Sequence, residues 1–152
     1  TLHSEKKQRE FLAIRHLLQQ AQLPTTVLYY TQEGKPQLEK QYISITHSHD
    51  FVMIALSPYP VGIDIERCTP RILRLAPRFT PWQASSDMDE LTQIRAYTQL
   101  WTIKEALYKV TDLPLVRFYE DLQVPHFEPL APQQQALISH SQGDEVYEVQ
   151  TQ

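Results

Sequence analysis

Asp64 and Glu66, in Val61-Gly62-Ile63-Asp64-Ile65-Glu66, and Lys104, Glu105 and Lys109, in Trp101-Thr102-Ile103-Lys104-Glu105-Ala106-Leu107-Tyr108-Lys109, are the residues whose types and spacing could do chemistry together. On a strand, carboxylates two residues apart leave the same face roughly 7 Å apart along the chain and can converge on one hard cation. Such oxygen ligands suit Mg²⁺. On a helix, Trp101, Glu105 and Lys109 lie at i, i+4 and i+8 and share a face, while Lys104 is turned about 100° from Glu105. That helix adds a third carboxylate and two ammonium groups, an inventory for a divalent metal beside a phosphate. Taken singly, each motif has a plainer reading. The first could be a buried strand ending in two solvated acids, and Glu105 with Lys109 a surface pair contributing about 0.2–0.5 kcal/mol.

Two basic clusters lie outside these motifs. Lys6, Lys7, Arg9 and Arg15 fall on the polar side of a first helix, where a solvated face is the default. Arg67, Arg71, Arg74 and Arg78 are spaced 4, 3 and 4, so a helix there presents one basic stripe. His47, His49 and Asp50 superficially suggest a zinc hydrolase site, but the spacing is wrong and a third imidazole is missing.

The elements that must position these residues can be read in order. Ser4 is a plausible N-cap for a helix to about Ala21 with Phe11, Ile14, Leu17, Leu18 and Ala21 on its apolar face. Leu23-Pro24 ends it. Thr25 to Thr31 reads as a strand, Glu33-Gly34-Lys35-Pro36 as a turn, and Tyr42 to Thr46, Phe51 to Ser57 and Val61 to Glu66 as further strands. Thr69 to Thr80 suggests a helix with Thr69 as N-cap and Pro70 at its first position, and Met88 to Val110 a long helix carrying the second motif. Weaker strands follow near Asp121 to Val124, Ala136 to Ser139 and Glu145 to Val149. Strands grouped before and after the long helix indicate an α+β fold rather than a regular βαβ succession.

Composition narrows the function classes. A chain of 152 residues, 41% hydrophobic and 21% charged, is that of a globular protein with one core or two small subdomains. No apolar run approaches the roughly 20 residues that span a bilayer, and no signal-peptide pattern opens the chain, so a cytoplasmic protein without membrane attachment is expected. Cys68 is the only cysteine, which excludes an internal disulfide and a cysteine metal cluster. A net charge of −4 argues against general nucleic-acid binding and makes any anion site a local basic cluster.

The paired motifs resemble the signature of the 4'-phosphopantetheinyl transferases, (V/I)-G-(I/V)-D followed some forty residues later by (F/W)-x-x-K-E-(A/S)-x-x-K. Here 37 positions separate Asp64 from Trp101. The added Ile65-Glu66 resembles the Sfp-type branch, and the likeness runs from about Ser4 to Lys109. It implies a pseudo-dimer of two similar α+β subdomains, residues 1–66 and 67–152, acting as a monomer. The family transfers the phosphopantetheine arm of coenzyme A to a serine of an apo acyl or peptidyl carrier protein, with Mg²⁺, and 3',5'-ADP leaves. By motif position Asp64, Glu66 and Glu105 would hold Mg²⁺, Lys104 and Lys109 would bond the diphosphate, and Glu105 could take the serine proton.

The same resemblance extends to the binding residues. Ile43-Ser44-Ile45-Thr46-His47-Ser48 is similar to the family's I-S-x-S-H-S, with Thr46 in place of a serine, and implies that His47 and Thr46 bind a coenzyme A phosphate. Arg9 and Arg15 would hold the 3'-phosphoadenosine, and Lys35 lies in a matching G-K-P turn. Nothing in the motif requires the arginine stripe, but carrier proteins of this family's reaction are acidic around the modified serine, so Arg71 and Arg74 could dock one, with a solvated face as the plainer alternative. Phe79-Thr80-Pro81-Trp82-Gln83 resembles F-S-x-x-E, with Gln83 where an acid is usual. Family members are usually longer, so trimmed ends are expected. The alternatives are a coenzyme A or nucleotide-binding module without catalysis and, more weakly, a Mg²⁺-dependent phosphohydrolase.

Overall fold

Ser4 opens the first helix as its residue type predicts, its hydroxyl accepting the Lys7 N–H at 3.3 Å with Glu5 in the first turn, where the helix dipole favours an anion. The computed structural model describes residues 4–113 and 115–151. Helix α1 (Glu5–Gln20) buries Ile14 and Leu18. Its apolar stripe is narrower than the periodicity suggests, because Phe11 is exposed and Ala21 is already the C-cap. The chain divides into two compact units, residues 1–65 and 66–152, each mixing helix with antiparallel sheet.

In the first unit the expected strand from Thr25 begins instead as a 3₁₀ turn, Thr25–Val27, because the Val27 N–H folds back onto the Pro24 carbonyl at 3.2 Å. Only β1 (Tyr29–Tyr30) is extended, paired antiparallel with β2 (Pro36–Gln37). The turn between them needs Gly34 at φ +82°, a conformation glycine adopts at no steric cost, and the Lys35 N–H bonds the Thr31 hydroxyl at 3.2 Å. Strands β3 (Tyr42–Ser48) and β4 (Phe51–Ser57) form a second hairpin in which Thr46 faces Met53 and His47 faces Val52. Helix α1 packs on β4, and Ile14, Leu18, Leu38 and Ile43 form the core.

Val61 to Glu66 does not add a strand to this sheet. The Ile63 N–H bonds the Ser44 hydroxyl at 3.0 Å and the Ile65 N–H bonds the Thr46 hydroxyl at 3.2 Å. Alternate amides face alternate side chains of β3, as an extended chain requires, but hydroxyls accept where a ladder would use carbonyls.

In the second unit α2 (Arg71–Leu75) is shorter than the predicted helix and is followed by a 3₁₀ turn, Ala76–Arg78. Pro77 has no N–H to continue the α ladder, and Pro70 rather than Thr69 is the cap. Helix α3 (Glu90–Val110) starts two residues later than read from sequence, at the Asp89 cap, whose carboxylate accepts the Thr92 N–H at 3.0 Å. Strands β5 (Leu122–Gln123), β6 (Gln133–His140) and β7 (Gly143–Gln150) form an antiparallel sheet in that order. Gln134, Ala136 and Ile138 alternate inward on β6, and the last two join Ile103 and Leu107 of α3 in one core cluster. Gln99 ties α3 to the chain ahead of β6 and to the residue after β7, donating to Ala131 O at 2.8 Å and Thr151 Oγ1 at 2.7 Å and accepting from Leu130 N–H at 2.8 Å. Among the described residues no helix is long and apolar enough to cross a membrane.

Candidate active-site residues

Thr46 is buried on β3, and its single hydroxyl serves two neighbours. It accepts the Ile65 N–H at 3.2 Å and donates to Asp64 Oδ1 at 3.0 Å. The segment that carries the candidate metal carboxylate is thus fastened to the sheet on both sides of its side chain. A threonine is well suited here, because its β-branch restricts χ1 and holds the hydroxyl in one direction.

His47 follows on the same strand, exposed, with Nδ1 3.4 Å from Glu10 Oε1 of α1. Of the basic residues on α1, Arg9 pairs with Glu5 at 3.2 Å, and Arg15 lies over the Phe11 ring with a further contact to the Phe11 carbonyl at 3.4 Å. Six residues apart, Arg9 and Arg15 lie about 120° from each other around the helix and do not form one patch. Lys35 is half-buried in the β1–β2 turn, and His49 is exposed at the tip of the β3–β4 turn with φ 52°.

In the second unit the motif residues of α3 divide between two tasks. Trp101 packs edge-on against Phe79 and tilted against Phe118, both with ring centroids 5.1 Å away. Lys104 is buried, 2% exposed, and its ammonium donates to the Phe79 carbonyl and, at 3.3 Å, to the Tyr119 carbonyl, with the Phe118 ring 5.4 Å away. Two of its three ammonium hydrogens are thus directed to carbonyls inside the unit, joining α3 to the turn after α2 and to the loop before β5. Burial lowers its pKa to about 8, with the Glu120 carboxylate opposing the shift. Glu105 and Lys109 are half-buried on α3. Arg71 and Arg74 lie exposed on α2, with Arg78 exposed in the turn after it.

Asp64 lies in the first unit, which ends at Ile65, and Glu66 opens the second, which also carries Glu105. Among the described residues no group of three His, Cys, Asp or Glu side chains is gathered as a metal cluster. Two participants went unseen in the sequence. Ser44, alternating with Thr46 on a buried strand face, left a period-two signal. Glu10 left none, since its partner lies on another element.

Removing the Thr46 hydroxyl while keeping its shape, in Thr46→Val, should release the Ile65 amide and speed its hydrogen exchange roughly tenfold, with Thr46→Ser staying near wild type. Unchanged exchange would show that the tether does not hold in solution. For Lys104, the folded chain gives up the proton near pH 8 and the unfolded chain near 10.5, so between these values the unfolded state binds more protons. Stability should therefore rise as pH goes from 8 to 10, with a slope approaching 1.4 kcal/mol per pH unit. Above pH 10 Tyr147 works in the opposite sense, since burial and Glu145 push its pKa up to about 12. The rise should be absent in Lys104→Met, followed by denaturant unfolding at each pH.

Comparison with known proteins places the chain in a family. Residues 60–150, more than half of the chain, match the family model of the 4'-phosphopantetheinyl transferase superfamily. The chain is 32% identical over 124 residues to 4'-phosphopantetheinyl transferase gsp of Aneurinibacillus migulanus, an alignment covering 74% of this chain and 52% of that protein. It is 30% identical over 135 residues to 4'-phosphopantetheinyl transferase Sfp of Bacillus subtilis (strain 168), covering 82% of this chain and 60% of the relative. The chain thus spans between about half and three-fifths of the length of these relatives. With the matched region running from just before Asp64 through the whole of α3, the chain belongs to the 4'-phosphopantetheinyl transferase superfamily.

Proposed function

We propose that the chain takes part in transferring the 4'-phosphopantetheine group of coenzyme A to a serine hydroxyl of an apo acyl or peptidyl carrier protein, releasing 3',5'-ADP. The observation that carries this reading is the Thr46–Asp64 hydrogen bond, which directs a carboxylate within the family-matched segment. The donor chemistry of Asp64, Glu66 and Glu105 fits Mg²⁺, since all three offer hard oxygen ligands. When bound, Mg²⁺ would neutralise charge on the diphosphate as the leaving group departs.

The chain's own residues hold and orient the reactants. Lys109 donates to the diphosphate. His47, Arg9, Arg15 and Lys35 engage the 3'-phosphoadenosine, and Lys104 acts from inside the second unit by fixing α3, and with it the direction of Glu105 and Lys109. Transfer forms a bond between the serine oxygen and phosphorus and breaks the bond to 3',5'-ADP, and the serine proton passes to Glu105 or to a water beside it. Arg71 and Arg74, exposed on α2, present positive charge to an acidic carrier protein. A cytoplasmic monomer with two related subdomains belongs to the same reading.

Incubation with coenzyme A, Mg²⁺ and an apo carrier protein, followed by mass spectrometry, should reveal carrier that has gained the phosphopantetheine group. Asp64→Ala should lower that rate by roughly 10²-fold or more; near wild-type turnover in this variant would remove Asp64 from the site. Reversing Arg71 and Arg74 to Glu should raise KM for carrier and leave coenzyme A affinity unchanged. Wild-type efficiency should also fall with salt, since the Debye length shortens to about 8 Å near 0.15 M, while the reversed variant responds less. Identical salt responses would return both arginines to a solvated face.

A further inference from the structure

Glu10 faces His47 from α1, and its surroundings are unusual for a helix surface. The side chain is 18% exposed, and Oε1 is enclosed without a hydrogen bond of normal geometry. Two cationic or potentially cationic groups approach that oxygen: Lys6 Nζ at 3.8 Å, on a side chain 67% exposed, and His47 Nδ1 at 3.4 Å. A mobile surface lysine at that range contributes little. An enclosed carboxylate oxygen left without a donor is costly, so the imidazole nitrogen is the partner that satisfies it, by closing a few tenths of an ångström.

We propose that Glu10 is a positioning residue that holds His47 as the Nδ1–H tautomer, with that hydrogen on Glu10, and so reserves Nε2 for an incoming phosphate. Nδ1 and Nε2 lie on opposite sides of the ring, and the tautomer is set by whichever nitrogen already donates. A phosphate arriving at Nε2, with a proton from the phosphate monoester or from solvent, then receives a donor from a ring that Glu10 keeps from rotating. Through Glu10, which itself touches no ligand, α1 acts on the anion site by holding a side chain of β3. Only the identity of the anion, the 3'-phosphate of coenzyme A, rests on the proposed function.

The tautomer can be read directly from long-range ¹H–¹⁵N correlations of the imidazole in the ligand-free chain. Wild type should show His47 protonated at Nδ1. Glu10→Gln, whose amide oxygen still accepts, should keep that pattern, and Glu10→Ala should shift it toward Nε2–H. A wild-type ring already in the Nε2–H form, or a pattern indifferent to Glu10→Ala, overturns the proposal. Calorimetry adds a readout that general destabilisation does not mimic. Glu10→Ala should weaken coenzyme A on the order of tenfold, with 3'-dephospho-coenzyme A little affected and no further loss when His47→Ala is already present. A tautomer shift accompanied by equal loss for both ligands supports the Glu10–His47 coupling and overturns the 3'-phosphate assignment of the proposed function.

Discussion

The Thr46 hydroxyl, buried on β3, is the interaction on which the first unit's share of the site depends. One donor and one acceptor function on a single oxygen hold both the backbone at Ile65 and the carboxylate at Asp64. Segment 61–65 forms no strand of the sheet, and the Ser44 and Thr46 hydroxyls hold its Ile63 and Ile65 amides. A hydroxyl tether constrains fewer atoms than a ladder and leaves the acidic residue at the end of an ordered sheet instead of within it.

The second unit meets the same requirement by different means. Lys104, buried among aromatic rings, donates to two backbone carbonyls that would otherwise lack those bonds. The cost of holding a lysine there appears as its depressed pKa. Even when neutral, the amine retains two N–H groups, one for each carbonyl, so the clamp survives loss of the proton. Phe79 contributes its ring to Trp101 and its carbonyl to Lys104, which makes one packing unit of residues that stand 22 and 25 positions from it. Within the motif, then, Trp101 and Lys104 build the platform on which α3, carrying Glu105 and Lys109, is held.

What was legible in the sequence follows from whether the signal was local. Helices α1 and α3 could be placed because capping residues and apolar periodicity act within a few residues. The β3–β4 hairpin and the Gly34 turn were legible for the same reason. The strand expected at Val61 to Glu66 failed because its apolar pattern was correct for burial while its pairing depended on Ser44 and Thr46, about 20 residues upstream. The helix from Thr69 was read too long because Pro77, inside the expected span, has no N–H to continue the α ladder. The packing around Lys104 was not legible, because a lysine in a chemical motif gives no local sign that carbonyls from Phe79 and Tyr119 will close around it. Glu10 escaped notice because only the folded chain brings α1 against His47.

The most direct test of the account is the Mg²⁺ dependence of coenzyme A affinity, measured by calorimetry in wild type, Thr46→Ser and Thr46→Val. If the hydroxyl aims Asp64 at a metal beside the diphosphate, Mg²⁺ should strengthen coenzyme A binding in wild type and in Thr46→Ser. The enhancement should be largely lost in Thr46→Val, with its metal-free affinity little changed. Full Mg²⁺ enhancement in Thr46→Val would contradict the account, because Asp64 would then need no hydroxyl to do its work.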